Sequence, residues 1–534
     1  MKTNSQHNIR SHAQLLLICA SMLLLGSPFA QHGFAQSNTT DQVRLEKSDD
    51  KKTTDQKTAD QKSDDKKKKE QSANKATAQD KKDAAKPITA IVGADIHTVT
   101  REVIRRGTVL VQDGKILKVG QDIKVPKEAT VIDATGMVIT PGFVSMTTRG
   151  IGLGGTPSSK QKLADLLNPF DVNIKLSLGI GITTACLQTG SSRGSSSRRA
   201  EDELFIGLDP DIDHLEITAT DFNVDFGDPN TALCECCGLP ILPTDTIERP
   251  TPEPIRPQKD AVIKLTAGRL DGMMVSDSVF YHLSPGALTG ALNQHTWRAN
   301  IHKAKDYLKA LAEYAKTKAK DPKTKIKAPK KPVSDELLAL VQKKIALRIS
   351  SDNVASIRDN ISLAKQLDYR VVIDGATEGW VVPDELTEAG ISVIITPRRR
   401  RSPEFALEDV TGSRIESSKI YEAAGVPFGI AALSNSISMM GLAGRDLTSL
   451  PLEAAFAVRG GCSEKTALEA LTIVPARMLG LQDRIGSIEV GKDADLLILN
   501  GQPLDYRTYV ETAMVNGQIA YERNKDKVYP IFER

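Results

Sequence analysis

The chain reads VIDATGMVITPGFV at residues 131–144 and SIEVGKDADLLILNGQPL at residues 487–504. Both stretches are rich in short apolar runs bounded by glycine, proline and aspartate, a pattern typical of β-strands joined by tight turns. They stand at opposite ends of the long folded part of the chain. We therefore predict that both ends build one small β-sandwich domain from residues 87–143 and 487–534.

Between these ends, short apolar runs alternate with helical stretches. The runs are LGIGITTACL, DAVIKL, KIALRIS, YRVVIDG, ISVIITP and VPFGIAAL. Apolar runs of this length, separated by helices, are typical of the parallel strands of an α/β barrel. We predict a (β/α)8 TIM-like barrel over residues 144–486, inserted into the β-sandwich and carrying an insertion at residues 198–257.

The first residues have the layout of a secretory signal. A basic start precedes an apolar run from Leu15 to Leu25, and small residues then precede candidate cleavage sites after Ala30 and Ala35. The apolar run is too short to span a bilayer. We predict a signal peptide at residues 1–35, a periplasmic or secreted protein, and no membrane span in the mature form. An uncleaved N-terminal anchor is the alternative.

Residues 36–86 are charged and nearly free of aliphatic side chains. Residues 41–86 hold 14 basic and 11 acidic side chains. Such a segment cannot bury enough apolar surface to offset its ordering entropy, so we predict a disordered linker. Docking of this linker to an anionic wall is the alternative. The whole chain has 70 basic and 67 acidic residues, a balance that gives no support for nucleic-acid binding.

The two ends and several internal stretches resemble the amidohydrolase superfamily, specifically the imidazolonepropionase-like branch of two-domain members. The matching stretches are residues 131–144, 178–190 (LGIGITTACLQTG), 297–316, 363–386 (LAKQLDYRVVIDGATEGWVVPDEL) and 466–504. The resemblance implies hydrolysis of carbon–nitrogen bonds in cyclic amides or dipeptide-like substrates. It also implies an amidohydrolase fold, zinc held by histidine and aspartate in the barrel, and a homodimer.

The histidines of this chain do not follow the family pattern. The family places two histidines, spaced by one residue, after Pro-Gly-Phe, so that both point into the barrel as metal ligands. Those positions fall here on Thr147 and Arg149, and no histidine follows His302. The family's other ligand and base positions fall on Ser350, Asp352, Gly375 and Asn435.

Hydroxyl groups are poor ligands for zinc at neutral pH, and an asparagine cannot accept a proton from water. We therefore predict that the barrel has lost its metal and needs no cofactor. The alternative is an active hydrolase that binds zinc in a rebuilt site. Its candidate residues are Asp352, Asp374, Glu378 and Lys264. A structural cell-envelope protein is the third hypothesis.

Four arginines directly follow an apolar strand in ISVIITPRRRR. The loops that contact ligands in a barrel lie at the carboxyl ends of its strands, and guanidinium groups suit carboxylate and phosphate. We predict that these arginines and Arg149 bind a small anionic molecule. The candidates are Arg149, Arg398, Arg399, Arg400 and Lys264. The alternatives are independent solvated arginines and, for Lys264, a lysine at a strand end.

The insertion carries a cluster of cysteines, Cys234, Cys236 and Cys237, with His214 upstream. Thiolate and imidazole are good zinc ligands, so these four residues could form a small structural metal site. A disulfide between two of the cysteines is the alternative, because an exported protein meets an oxidising environment.

Overall fold

The computed structural model describes residues 87–155, 162–188, 258–322, 324–437 and 447–528. The predicted signal peptide, the charged linker, and the cysteine cluster with His214 lie outside these ranges.

The described strands and helices have the following bounds. The strands are β1 (Ile88–Ile96), β2 (Ile104–Gln112), β3 (Lys115–Gly120), β4 (Thr130–Asp133), β5 (Val138–Pro141), β6 (Phe143–Thr148), β7 (Ile182–Gln188), β8 (Gln258–Lys264), β9 (Met274–Leu283), β10 (Ala346–Ser351), β11 (Val371–Gly375), β12 (Ser392–Ile395), β13 (Phe428–Ile430), β14 (Leu496–Leu499), β15 (Val510–Val515) and β16 (Gln518–Glu522). The helices are α1 (Val172–Gly179), α2 (Ala291–Lys320), α3 (Asp335–Val341), α4 (Val354–Leu367), α5 (Pro383–Glu388), α6 (Ser417–Ala424), α7 (Leu450–Arg459), α8 (Glu464–Glu469), α9 (Ile473–Met478) and α10 (Arg523–Asp526). Short 3-10 turns occupy Leu163–Leu166, Gly379–Val381 and Leu447–Ser449.

One sheet draws its strands from both ends of the described chain. Its order is β16-β15-β14-β5-β1-β2-β3, and β4 pairs with β1 as a branch. The β2–β3 hairpin turns at Asp113 and Gly114, whose φ angles of 54° and 76° suit a primed turn. This region is a single branched sheet within the described residues, and the two facing sheets of the predicted sandwich are not seen there.

The second sheet is barrel-like, with the order β13-β12-β11-β10-β9-β8-β7-β6. The backbone N–H of Val144 in β6 donates to Leu471 O at 2.8 Å, and that of Ile430 in β13 donates to Ala470 O at 3.0 Å. Residues 470–471 therefore bridge the first and last strands and nearly close the sheet. The α/β class predicted from the sequence is confirmed.

One strand departs from the predicted all-parallel barrel. All neighbours in this sheet are parallel except β8, which is antiparallel to both β7 and β9. Asp260, near the start of β8, pairs with Gln188 at the carboxyl end of β7, whereas Lys264 pairs with Thr184 near its beginning. The reversal therefore places the two ends of β8 at the edges opposite to those expected for a parallel strand.

Helices pack around the barrel-like sheet through their apolar faces. Helix α4 connects β10 to β11; the side chain of Asn353 caps its start by accepting from Ser356 N, and Asp368 ends it in the left-handed conformation. Its buried face includes Ile357 and Ile361. Within the ranges that the structure describes, no helix is both long enough and apolar enough to cross a membrane.

Candidate functional site

The side chain of Arg348 lies inside the barrel-like sheet and is completely buried. Its Nη1 donates to Met146 O (2.8 Å) and Asp260 Oδ2 (3.1 Å), its Nη2 to Thr147 Oγ1 (2.8 Å) and Asp374 Oδ2 (2.5 Å), and its Nε to Asp374 Oδ2 (3.1 Å). Arg348 is on β10, and neither β6 nor β8 is a neighbour of β10 in the sheet. The bonds to Met146, Thr147 and Asp260 therefore cross the interior of the barrel, whereas Asp374 is on the neighbouring strand β11.

Strand register explains how the sequence brings these groups together. Arg348 pairs with His282 on β9, and Ser350 pairs with Asp374 on β11. Residues two apart on a strand share a face, so these side chains all point inward. The other oxygen of Asp260, Oδ1, lies 2.9 Å from Nδ1 of the buried His282.

The charges around Arg348 hold it in the cationic form. Burial alone would lower the pKa of Arg348, but the negative charges of Asp374 and Asp260 more than offset that effect and raise the pKa above its ordinary value. Burial and the charge of Asp260 raise the pKa of the nearby Cys186 thiol well above its usual range. Cys186 is therefore a neutral, unreactive thiol rather than a nucleophile.

Arg348, Asp260 and His282 were not among the site residues predicted from the sequence. The available signals were Arg348 inside the apolar run KIALRIS and Asp260 at the start of the apolar run DAVIKL. A charge at the centre of an apolar strand is costly unless a partner is buried with it. This pattern indicates buried ion pairs but does not identify the partners.

The positions derived from the family resemblance lie at or just after the carboxyl ends of β6, β10, β11 and β13. Thr147 accepts from Arg348, and Ser350 is partly buried. The side chain of Arg149 is exposed, and its backbone N–H donates to Asn435 O at 2.7 Å. The structure thus brings this set to one edge of the barrel, as a ligand-facing edge requires.

Most of the predicted arginine run is paired with carboxylates. Arg398 lies 2.7 Å from Glu453, Arg399 2.9 Å from Asp352, and Arg401 2.9 Å from Glu378. Arg400 is exposed. Burial raises the pKa of Glu453, although Arg398 acts in the opposite direction. These ion pairs offset part of the positive charge that the sequence predicted for the barrel mouth.

A small cleft with a volume of about 20 Å³ opens at the carboxyl ends of β11 and β12. Its polar lining includes Thr377, Thr396, Arg399, Ser413, Arg414 and Ser417. Arg399 belongs to the predicted set, and Arg414 is a contributor that the sequence analysis missed. The Arg414 guanidinium stacks 4.0 Å from the centre of the Trp380 ring, which holds it in place beside the cleft.

Comparison with known proteins finds similarity to amidohydrolases. A family model described as the amidohydrolase family matches residues 386–528. The structure also resembles an amidohydrolase from Thermotoga maritima MSB8, with a TM-score of 0.52 and 23% identity over 82% of this chain and 100% of that chain. Residues 386–528 therefore match the amidohydrolase family, and the fold resembles that of a known amidohydrolase. This confirms the resemblance at the level of the superfamily.

Sequence similarity to individual known enzymes is confined to short stretches. The chain is 37% identical over 62 residues to an N-acetylglucosamine-6-phosphate deacetylase of Mus musculus, which is 12% of this chain and 14% of that protein. It is 54% identical over 43 residues to a dihydroorotase of Mycobacterium tuberculosis, 8% of this chain and 10% of that protein. These stretches are too short to transfer an activity.

The residues inside this barrel-like sheet do not fit the zinc that the family resemblance implies. Asp260 and Asp374 are both bonded to Arg348, whose positive charge repels a metal ion from the same place. Gly375 has a φ of 100°, and a Cβ added there would collide with the carboxylate of Asp352. In the described ranges, no three His, Cys, Asp or Glu side chains are arranged to hold a metal ion.

Lys264 lies away from the other candidate ligand-binding residues. It is completely buried and contacts Asp493 Oδ2 (2.6 Å), Asn516 Oδ1 (2.6 Å) and Asp495 Oδ2 (2.9 Å). Because β8 is reversed, Lys264 is at the edge where β7 begins, opposite the edge that carries the arginines. Its ammonium group joins the barrel-like sheet to the segment just before β14 and to the β15–β16 turn.

Proposed function

We propose that this protein is a non-hydrolytic binding protein for a small anionic molecule, built on an amidohydrolase barrel that has lost its metal site. The buried Arg348 carries the proposal. A hydrolase of this family needs a cation that lowers the pKa of bound water and a carboxylate that accepts its proton. Here a guanidinium, which binds no water as a Lewis acid, is bonded to both interior carboxylates.

The cleft at the ends of β11 and β12 is the place we propose for the ligand. Arg399 and Arg414 line it together with hydroxyl groups, and a guanidinium can donate two parallel hydrogen bonds to a carboxylate or phosphate. Asp352 neutralises part of the charge of Arg399. An anionic ligand would therefore compete with Asp352 for that guanidinium.

The sequence supports two further parts of this proposal. The basic start and apolar run of residues 1–35 support export to the periplasm or the medium, and the resemblance supports a homodimer. The two sheets support descent from a (β/α)8 barrel inserted into a small β domain, because one sheet is barrel-like and the other takes strands from both chain ends.

Metal analysis of the purified mature protein tests the loss of catalysis. We expect no stoichiometric zinc in a variant that carries Cys234→Ser, Cys236→Ser and Cys237→Ser, in which the predicted structural metal site is removed. We also expect no hydrolysis of N-acetylglucosamine 6-phosphate or dihydroorotate above the blank. About one zinc per chain in this variant, together with chelator-sensitive turnover, would favour the active hydrolase instead.

Calorimetric titration with inorganic phosphate and with N-acetylglucosamine 6-phosphate tests the binding site. We expect Arg399→Ala and Arg414→Ala each to weaken binding about tenfold, because each removes one charge-assisted interaction worth about 1.5 kcal/mol. Arg149→Ala tests whether the exposed arginine across the mouth takes part. Arg358→Ala, in an exposed pair with Glu385, is the matched control and should bind as the wild type does. Unchanged affinity in all three test variants would exclude these arginines as the site.

A further inference from the structure

We propose that Met146 O, Thr147, Asp260 and Asp374 form a cation cage whose built-in occupant is Arg348, and that the cage takes up a divalent ion once the guanidinium is removed. This inference rests on the proposed function in one respect. Both proposals assume that the Arg348 guanidinium keeps a metal ion out of the barrel interior. It goes further in assigning a latent metal site to a set of residues of which only Thr147 stands at a family ligand position.

The geometry of the acceptors is the first support. Four oxygen atoms lie within 3.1 Å of the guanidinium nitrogens, and they come from three strands that surround it. They comprise a carbonyl, a hydroxyl and two carboxylates. The sulfur of Cys186 lies farther out, 4.0 Å from Nη1. Such a mainly oxygen donor set suits Mn²⁺ or Mg²⁺ better than it suits zinc.

The balance of charge is the second support. Two carboxylates surround one guanidinium, so their formal charges leave one negative charge in excess. A divalent ion in the same place would bring the sum to zero. His282 contacts Oδ1 of Asp260, the oxygen that faces away from the cage, and so fixes the orientation of the carboxylate. Carboxylates that bind metals are commonly fixed by such outer-shell hydrogen bonds.

Access is the third support. Arg348 and Asp260 are completely buried, whereas the side chain of Asp374 is 21% exposed. Solvent therefore reaches the cage from the Asp374 side. Truncation of Arg348 to alanine would connect the vacated space to that opening, which gives a hydrated ion a path to both carboxylates.

The test uses Arg348→Ala in the full-length protein, with Mn²⁺ as the probe. We expect electron paramagnetic resonance titration to show about one bound Mn²⁺ per chain, at least tenfold tighter than in the wild type. We also expect Mn²⁺ to raise the melting temperature of this variant and not that of the wild type. Arg348→Ala combined with Asp374→Asn should lose both effects, and Arg358→Ala should behave as the wild type does.

A second variant covers the case in which Arg348→Ala does not fold. Arg348→His supplies an imidazole ligand beside the same carboxylates and is refolded with and without Mn²⁺. The proposed metal site is excluded if neither variant binds Mn²⁺. It is also excluded if neither variant folds in the presence of Mn²⁺. The proposed function is judged separately, on the zinc content and turnover of a chain that retains Arg348, so either idea can fail without the other.

Discussion

Replacement of Arg348 by methionine should lower the free energy of unfolding by about 3–5 kcal/mol. Removing one partner of a buried ion pair leaves the other as an uncompensated charge, and here Asp260 has no access to solvent. The hydrophobic side chain fills part of the volume, but it cannot satisfy the four oxygen atoms that now accept from the guanidinium. Urea denaturation followed by circular dichroism measures the loss.

Two comparisons isolate the cause of this loss. Arg358→Met breaks an exposed ion pair and should cost less than about 1 kcal/mol. Adding Asp260→Asn to Arg348→Met should recover part of the stability, because it removes the charge left behind. A loss below about 1 kcal/mol for Arg348→Met itself would show that the interior network contributes little to the fold.

Replacement of Lys264 by methionine should cost a similar amount, about 3–5 kcal/mol. The ammonium group is completely buried and contacts acceptors of Asp493, Asp495 and Asn516. Its loss leaves the buried Asp495 without this cation, whereas Asp493 keeps Lys115 and Arg484. The same urea measurement applies. Lys343→Met, which breaks an exposed pair with Asp368, is the matched control and should change stability by less than about 1 kcal/mol.

The same cluster should make the fold sensitive to acid. Burial would raise the pKa of Asp493, but hydrogen bonds from Lys115 and Lys264 outweigh it and lower the pKa from 3.8 to about 2. A carboxyl whose pKa is lower in the folded state stabilises the fold above the unfolded value and loses that contribution as the pH falls through the folded value. We therefore expect a loss of about 2 kcal/mol between about pH 4 and pH 2, and a smaller loss in Lys264→Met. Equal acid sensitivity in both proteins would contradict this assignment.

The parts of the fold that sequence predicted correctly depend on local patterns. The turn at Asp113 and Gly114 is also of this local kind, because two residues that tolerate positive φ stand between alternating apolar runs. The superfamily could likewise be recognised from continuous stretches at each end of the barrel. The α/β class also follows from local patterns, because the spacing of apolar residues within each strand or helix indicates its type.

The parts that sequence could not predict depend on contacts between distant residues. An apolar run such as DAVIKL has the same pattern in either direction, so the antiparallel orientation of β8 could not be read from it. The partners of Lys264 lie more than 220 residues away along the chain. For the same reason, the pairing of Arg348 with Asp260 and Asp374 emerged only when the strands were assembled.

The reversed strand has a consequence for how this gene can tolerate insertions. Parallel neighbours require a long crossover, whereas antiparallel neighbours can be joined by a tight turn of a few residues. Gln188 and Asp260 face each other across an antiparallel pair. The connection between them therefore needs only a tight turn of a few residues, and we expect residues 189–257 to tolerate shortening or extension without a change in the pairing of β7 with β8.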